Sequence, residues 1–134
     1  FSNDERLNIR QIFSTIQLTC LSMYRILYRP VGPLELALIE KSNWKKFPPR
    51  LPEQSIFYPV LNEEYAIQIA KEWNLAASGS GFVTRFKVNE DFINKYELKT
   101  VGGINHKEFW IPSEDLEEFN NNIVGLIEII HKFK

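Results

Sequence analysis

The sequence has little cysteine, the residue that cross-links small domains through disulfides and binds metals through sulfur. Cys20 is the only cysteine among 134 residues, which excludes an intramolecular disulfide and a cysteine-based metal site. A single thiol is typical of a reducing compartment, and we therefore predict a cytoplasmic location. The chain must be stabilised by a hydrophobic core, and its 44% hydrophobic content and its length suit one domain.

The sequence also lacks a strong net charge and a long apolar run. Sixteen basic and seventeen acidic side chains give a formal charge of -1. Because binding to a phosphate backbone requires a dense basic face, no nucleic-acid partner is expected. The apolar-rich stretch 12–27 is interrupted by Gln17, Ser22 and Arg25. It falls short of the ~18 apolar residues that a membrane helix needs, so no membrane association is expected.

Short motifs that identify common enzyme classes are absent as well. The sequence contains no GxxxxGK[ST], GxGxxG, HExxH or GxSxG pattern. The glycine groups at 79–81 and 102–103 are too short to cradle a phosphate and are predicted to be turns. With two histidines, His106 and His131, far apart in the sequence, no metal site is predicted.

Residues 1–22 differ in sequence pattern from the rest of the chain. Ile9, Ile12, Phe13 and Ile16 recur at helical spacing after Asn3 or Asp4, which are suitable N-caps. Two interpretations are open: this segment is an added amphipathic helix, or it is a leader outside the core domain.

From residue 23 onward, short strands alternate with single helices. Helices are predicted at 34–41, at 63–73 after Asn62, at 91–96 and at 113–120, and loops at 45–54 and 76–81. Strands are predicted at 24–29, 56–58, 82–88, 97–101, 107–111 and 126–130. We therefore predict one α+β domain over residues 23–134, with a largely antiparallel sheet of about six strands and three or four short helices.

The helix after Asn62 has the clearest pattern. Tyr65, Ala66, Ile69, Ala70 and Trp73 fall on one helical stripe, which predicts that all five are buried.

Four polar or aromatic residues could act on a ligand. Arg29 ends a strand immediately before a proline, where a guanidinium can grip a phosphate or carboxylate. His106 and Glu108 are two apart on one strand and therefore share a face, as acid–base partners do. Tyr58 ends its strand and can stack on a flat ring. The residues alone leave structural alternatives open: a surface salt bridge for Arg29, core packing for Tyr58 and an exposed strand end for His106.

Four longer segments resemble a known family. They are LYRPVG at 27–32, FPPRLP at 47–52, IFYPVLNEEYA at 56–66 and the run VGGINHKEFWIPSEDLEEFN at 101–120. Over residues 23–130 the chain resembles small bacterial and cyanobacterial proteins that carry the label "ADP-ribosylation/crystallin J". The ADP-ribosylglycohydrolases usually meant by that label are larger, all-helical and metal-dependent. We therefore reject the hydrolase interpretation.

The order of elements is similar instead to the ADP-ribosyltransferase fold. In that fold, the first strand ends in Arg or His, a second strand precedes an alanine-bearing helix, and a late strand starts with a catalytic Glu. The resemblance implies that Arg29, Tyr58 and His106 bind NAD and that Glu108 is the catalytic carboxylate. It implies transfer of ADP-ribose from NAD to an unknown acceptor.

A second function stays open beside this one. On the same fold, the chain can be a non-catalytic binding module in a toxin–immunity or phage-related setting. The Pro-rich loop 47–52 and exposed aromatic residues would then contact a protein partner. The neighbouring Lys45, Lys46 and Arg50 are interpreted as part of a short solvated loop.

Overall fold

The computed structural model describes residues 23–134, and both interpretations of residues 1–22 lie outside the described residues. The predicted α+β class is confirmed: helices and strands are mixed, and every strand pair is antiparallel. Within residues 23–134, no helix is long and apolar enough to cross a bilayer.

Three long strands form the central sheet. They are β1 (Tyr24–Val31), β3 (Gly81–Asn89) and β7 (Ile123–Phe133), in the order β1-β3-β7. The prediction that β1 stops before Pro30 is wrong, because the strand continues to Val31. Tyr28 uses its N–H and C=O to bond Val60, on the side of β1 away from β3. Pro30, two residues on, faces the same side, so its missing N–H removes no bond to β3.

Four shorter strands complete the β structure. β2 (Ile56–Phe57) pairs with β6 (Ile111–Pro112), and β4 (Leu98–Thr100) pairs with β5 (Lys107–Phe109). Val60 connects these strands to the central sheet, since it forms one bridge to Tyr28 and another to Glu108. This single residue places the end of β1 beside the middle of β5.

The helices lie close to their predicted positions. They are α1 (Pro33–Lys41), α2 (Glu63–Ile69), α3 (Leu75–Ser78), α4 (Glu90–Ile93) and α5 (Leu116–Asn121), the last preceded by a 3-10 turn at Ser113–Asp115. Asn62 stands at the N-cap of α2, but its side-chain amide donates to the Asn105 carbonyl, 2.6 Å away, instead of capping. The predicted loop at 76–81 is wrong. α3 reaches Ser78, Gly79 ends it with a φ of 79°, and β3 begins at Gly81.

A π-helical turn, Ala70–Asn74, joins α2 to α3 and changes which face is buried. The Leu75 N–H donates to the Ala70 carbonyl, five residues back. Ala66 and Ala70 are fully buried as predicted, but Trp73 is 70% exposed and its predicted burial is wrong. A π turn accommodates one extra residue, which rotates the following side chains by about 100° relative to a regular helix.

A cluster of phenylalanines forms the centre of the core. The Phe47 ring contacts Phe86 at a centroid distance of 4.8 Å and Phe57 at 5.1 Å, and Phe119 packs against all three. Phe47 therefore fastens the loop 45–54, which has no helix or strand, to the core. Asn120 completes the attachment, because its side-chain amide accepts from the Phe47 N–H at 2.9 Å and donates to the Phe47 carbonyl at 3.0 Å.

Candidate functional site

One cleft, with a volume of about 510 Å³, brings together three of the four predicted site residues. Arg29 comes from β1, Tyr58 from the segment after β2, and Glu108 from β5. They converge because the two bridges of Val60 hold these segments side by side. His106 is not among the residues that line the cleft.

Glu108 is fixed by two hydrogen bonds. The Tyr65 hydroxyl donates to Oε2 at 3.1 Å, and the Trp110 indole N–H donates to Oε1 at 2.8 Å. The residue is only 7% exposed. Since an ionised carboxylate offers about four acceptor positions, each oxygen can still accept one more bond. Glu108 is thus oriented by the protein and able to accept a hydrogen bond from a hydroxyl group of a ligand.

Tyr65 is kept in its donor form by its surroundings. Burial, followed by the charge of Glu108 and the hydrogen bond to it, raises the pKa of Tyr65 to about 12. The hydroxyl therefore stays protonated at neutral pH and continues to donate to the carboxylate. Tyr65 is a positioning residue that the sequence patterns assigned only to the core.

Arg29 is also buried, at 7% exposure, but its guanidinium already has partners. Nε and Nη2 donate to the two carboxylate oxygens of Glu35, at 2.7 and 2.9 Å. Nη1 donates to the Tyr58 carbonyl at 3.3 Å, and the group lies over the Phe57 ring at 4.5 Å. Glu35, in the first turn of α1, therefore neutralises Arg29 inside the cleft.

Two aromatic side chains stand on the cleft wall. Tyr58 and Trp110 are 37% and 39% exposed, and their rings meet edge to face with centroids 6.0 Å apart. Partly exposed aromatic faces of this kind can contact a flat ring of a ligand. Trp110 has a second role, because its indole N–H also holds Glu108.

His106 packs against Tyr65 and does not itself reach the cleft. Its ring stacks on Tyr65 with a centroid distance of 4.4 Å and an interplanar angle of 8°, and the Gly103 N–H donates to Nδ1 at 3.3 Å. His106 and Glu108 both contact Tyr65, but only Glu108 reaches the cleft. The other histidine, His131, lies on β7 and bonds the Glu63 carboxylate at 2.7 Å.

The cleft contains further residues that the sequence patterns did not single out as site residues. Arg50 and Asn74 line it together with Glu35 and Trp110. The interpretation of Arg50 as part of a solvated loop is wrong, because its side chain is partly buried and reaches the cleft. The only local signal was spacing: Trp110 is two residues after Glu108, on the same face of its strand.

The site shows no sign of a metal centre. Within residues 23–134, no group of three His, Cys, Asp or Glu side chains is placed to hold an ion. Among the described residues, the cleft lining offers two carboxylates, two guanidinium groups, two side-chain amides and two aromatic rings.

No family model matches the chain, and neither the curated proteins nor the solved structures gave a significant match. The resemblance to ADP-ribosyltransferases therefore stays a prediction, and function has to be inferred from the cleft itself.

Proposed function

We propose that the cleft binds NAD or a related nucleotide and that the chain transfers ADP-ribose to an acceptor. One observation carries this proposal: Arg29, Tyr58 and Glu108 come from three separate segments and line the same cleft. The volume of about 510 Å³ falls within the ~300–1,000 Å³ typical of small-molecule sites.

In the proposed reaction, Glu108 acts on the ribose. Its carboxylate accepts a hydrogen bond from a ribose hydroxyl and lies near the glycosidic carbon. That carbon gains positive charge as its bond to nicotinamide breaks. A fixed negative charge beside this carbon lowers the energy of such a transition state. Tyr65 and Trp110 hold the carboxylate in place beforehand, so that little reorganisation is needed.

The remaining cleft residues suit the other parts of a dinucleotide. Tyr58 and Trp110 offer aromatic surfaces for a base or nicotinamide ring. The Arg29 and Arg50 guanidinium groups suit phosphates by hydrogen bonding, although Glu35 and Glu108 balance their two positive charges in the lining.

Calorimetric titration with NAD tests the proposal. The parent chain should bind, and Glu108→Ala should bind at least about tenfold more weakly, as expected for loss of a charged hydrogen bond. Arg29→Ala also leaves Glu35 unpaired, so Glu35→Ala and the double variant are matched controls. NAD-dependent labelling of an acceptor should be abolished by Glu108→Gln, with the domain still folded by circular dichroism. Absence of NAD binding to the folded parent would contradict the proposal.

A non-catalytic binding module is the second function, and the pairing of Arg29 favours it. A guanidinium neutralised by Glu35 is a weaker phosphate clamp than an unpaired one. In this case the exposed rings of Tyr58 and Trp110 would contact a protein partner. A stable complex in a pull-down that Tyr58→Ala weakens, together with no NAD affinity, would support it.

We further propose a cytoplasmic location. The single cysteine, Cys20, is the supporting feature, since a lone thiol is typical of proteins in a reducing compartment. Fractionation of cells that produce the tagged full chain would test this.

A further inference from the structure

Two buried polar atoms of the cleft lack hydrogen-bond partners within residues 23–134. They are Nε of Arg50 and Oδ1 of Asn74, and both residues line the cleft that contains Arg29 and Glu108. Buried polar groups are almost always hydrogen-bonded, because an unmade bond costs roughly 1–3 kcal/mol. The Arg50 and Asn74 side chains therefore have hydrogen-bonding capacity, one as a donor and one as an acceptor, that no described residue uses.

Arg50 is better suited to an anion than Arg29. Arg29 directs three of its nitrogens at Glu35 and at the Tyr58 carbonyl. No hydrogen bond from the Arg50 side chain is found within residues 23–134. Burial, and then the charge of Arg29, lower the pKa of Arg50, while Glu35 and Tyr58 oppose this shift. An arginine nevertheless stays charged, so a phosphate would compensate a cation that the protein has partly desolvated.

Asn74 supplies the complementary group. It ends the π-helical turn and lies where α3 approaches the start of β3, since its Cβ is 3.1 Å from the position that a Cβ on Gly81 would take. π turns are rare overall but recur at functional sites, and this one places the Asn74 side chain on the cleft wall. An amide oxygen accepts bonds from hydroxyl or N–H groups, both of which a nucleotide carries.

We propose that Arg50 binds a phosphate group of the ligand and that Asn74 accepts a hydrogen bond from a hydroxyl or N–H group of the same molecule. The ligand class is then a nucleotide with at least one phosphate. This inference rests on the proposed function for the identity of the nucleotide. It differs from the proposed function in assigning the phosphate to Arg50. Arg29 then has a structural role, since it pairs with Glu35 in the cleft wall.

Two probes separate the roles of the two residues. NAD carries phosphates and hydroxyl groups, whereas inorganic pyrophosphate carries the phosphates without a ribose or a base. Calorimetric titration of the full chain should show that Arg50→Gln weakens binding of both probes by about ten- to a hundredfold. Asn74→Ala should weaken NAD binding by about tenfold and leave pyrophosphate binding unchanged.

Matched controls exclude a general charge effect and loss of fold. Lys46→Gln removes one positive charge four residues from Arg50, at an exposed position that does not line this cleft, and should change affinity by less than about twofold. Arg50→Lys keeps the charge but loses the planar fork, and should bind with intermediate affinity. Circular dichroism and urea unfolding establish that each variant is folded before titration.

The outcomes distinguish this inference from the proposed function. If the parent binds NAD and Arg50→Gln binds it equally well, the Arg50 inference is overturned and the proposed function stands. If the parent binds pyrophosphate through Arg50 but does not bind NAD, the proposed function fails and the phosphate site stands. Equal effects of Asn74→Ala on both probes, or no effect on NAD, overturn the role of Asn74. If neither probe binds the folded parent, both proposals fail.

Discussion

Arg29 and Glu35 form a two-point ion pair that closes the turn between β1 and α1. The pair is well shielded, with 9% and 20% of the two side chains exposed. Its position makes it part of the cleft wall and, at the same time, part of the connection between two elements of the fold. Substitution of Arg29 or Glu35 should therefore change two properties that can be measured independently, the stability of the domain and its affinity for a ligand.

Removing the carboxylate of this pair should lower stability and increase anion affinity. Glu35→Gln leaves Arg29 charged and partly buried, so we expect the free energy of unfolding to fall by about 2 kcal/mol, between the values for exposed and buried pairs. Pyrophosphate binding should strengthen, because Arg29 is no longer neutralised. Urea unfolding and calorimetry measure the two effects. Unchanged stability together with unchanged affinity would show that the pair contributes to neither.

The core anchor of the Pro-rich loop can be tested at Phe47. Phe47→Ala removes a ring that is 1% exposed and contacts three other phenylalanines, so unfolding should become easier by about 3–5 kcal/mol. Leu51→Ala, in the same loop but 56% exposed, is the matched control and should change stability by less than about 0.5 kcal/mol. Equal losses for the two variants in urea unfolding would contradict the anchoring role of Phe47.

Close packing of β3 against the π turn predicts that Gly81 tolerates no side chain. A Cβ at this position would overlap the Ala70 carbonyl oxygen. Gly81→Ala should therefore destabilise the domain by about 1–3 kcal/mol, measured by thermal or urea unfolding. At Gly103 the atoms nearest to an added Cβ belong to the His106 ring, at 3.5 Å, which is ordinary van der Waals contact, so Gly103→Ala serves as the control. A Gly81→Ala variant as stable as the parent would be inconsistent with this packing.

Tyr65 should make stability depend on pH in the alkaline range. Its pKa is about 12 in the folded chain and near the ordinary value of 10.0 when unfolded. A raised pKa means that the stabilising contribution is complete below pH 10 and is lost as the pH rises towards 12. Burial and Asp115 also raise the pKa of Tyr96, which adds a loss of the same sign.

Urea unfolding of the parent and of Tyr65→Phe at pH 8, 10 and 11 measures this contribution. The variant should lose less stability between pH 10 and pH 11 than the parent does. Parallel pH profiles would contradict a raised pKa of Tyr65 in the folded chain. In the NAD titration, Tyr65→Phe should also weaken binding moderately, since Glu108 loses the donor at Oε2.

Local patterns in the sequence were sufficient for most of the fold. The helix after Asn62 and the strand at Gly81–Asn89 follow hydrophobic periodicities that depend on neighbours within a few residues. The exposed Trp73 was not predictable in this way, because a π turn alters the period from inside the helix. Pro30 was misjudged because its tolerance depends on which side of β1 bonds β3, a tertiary property.

The site was only partly predictable for the same reason. Arg29 lies within β1, Tyr58 follows β2 and Glu108 is in the middle of β5. A resemblance in the order of elements nominated these three together with His106, which does not line the cleft. Arg50 reaches the cleft because Phe47 is held by Asn120, 73 residues away in the sequence. No pattern within the loop 45–54 contains that contact. Asn74 likewise depends on the π turn and on the absence of a side chain at Gly81.

The two bridges of Val60 set the spacing between the backbone segments that line the cleft. Tyr28, Val60 and Glu108 are neighbours on three adjacent segments, so the backbones beside Arg29 and around Glu108 lie two strand spacings apart, or roughly 9–10 Å. Hydrogen bonds on both sides of Val60 make this span stiff. Under the proposed function, a single ligand that contacts both Arg29 and Glu108 has to bridge this backbone separation, less the reach of the two side chains.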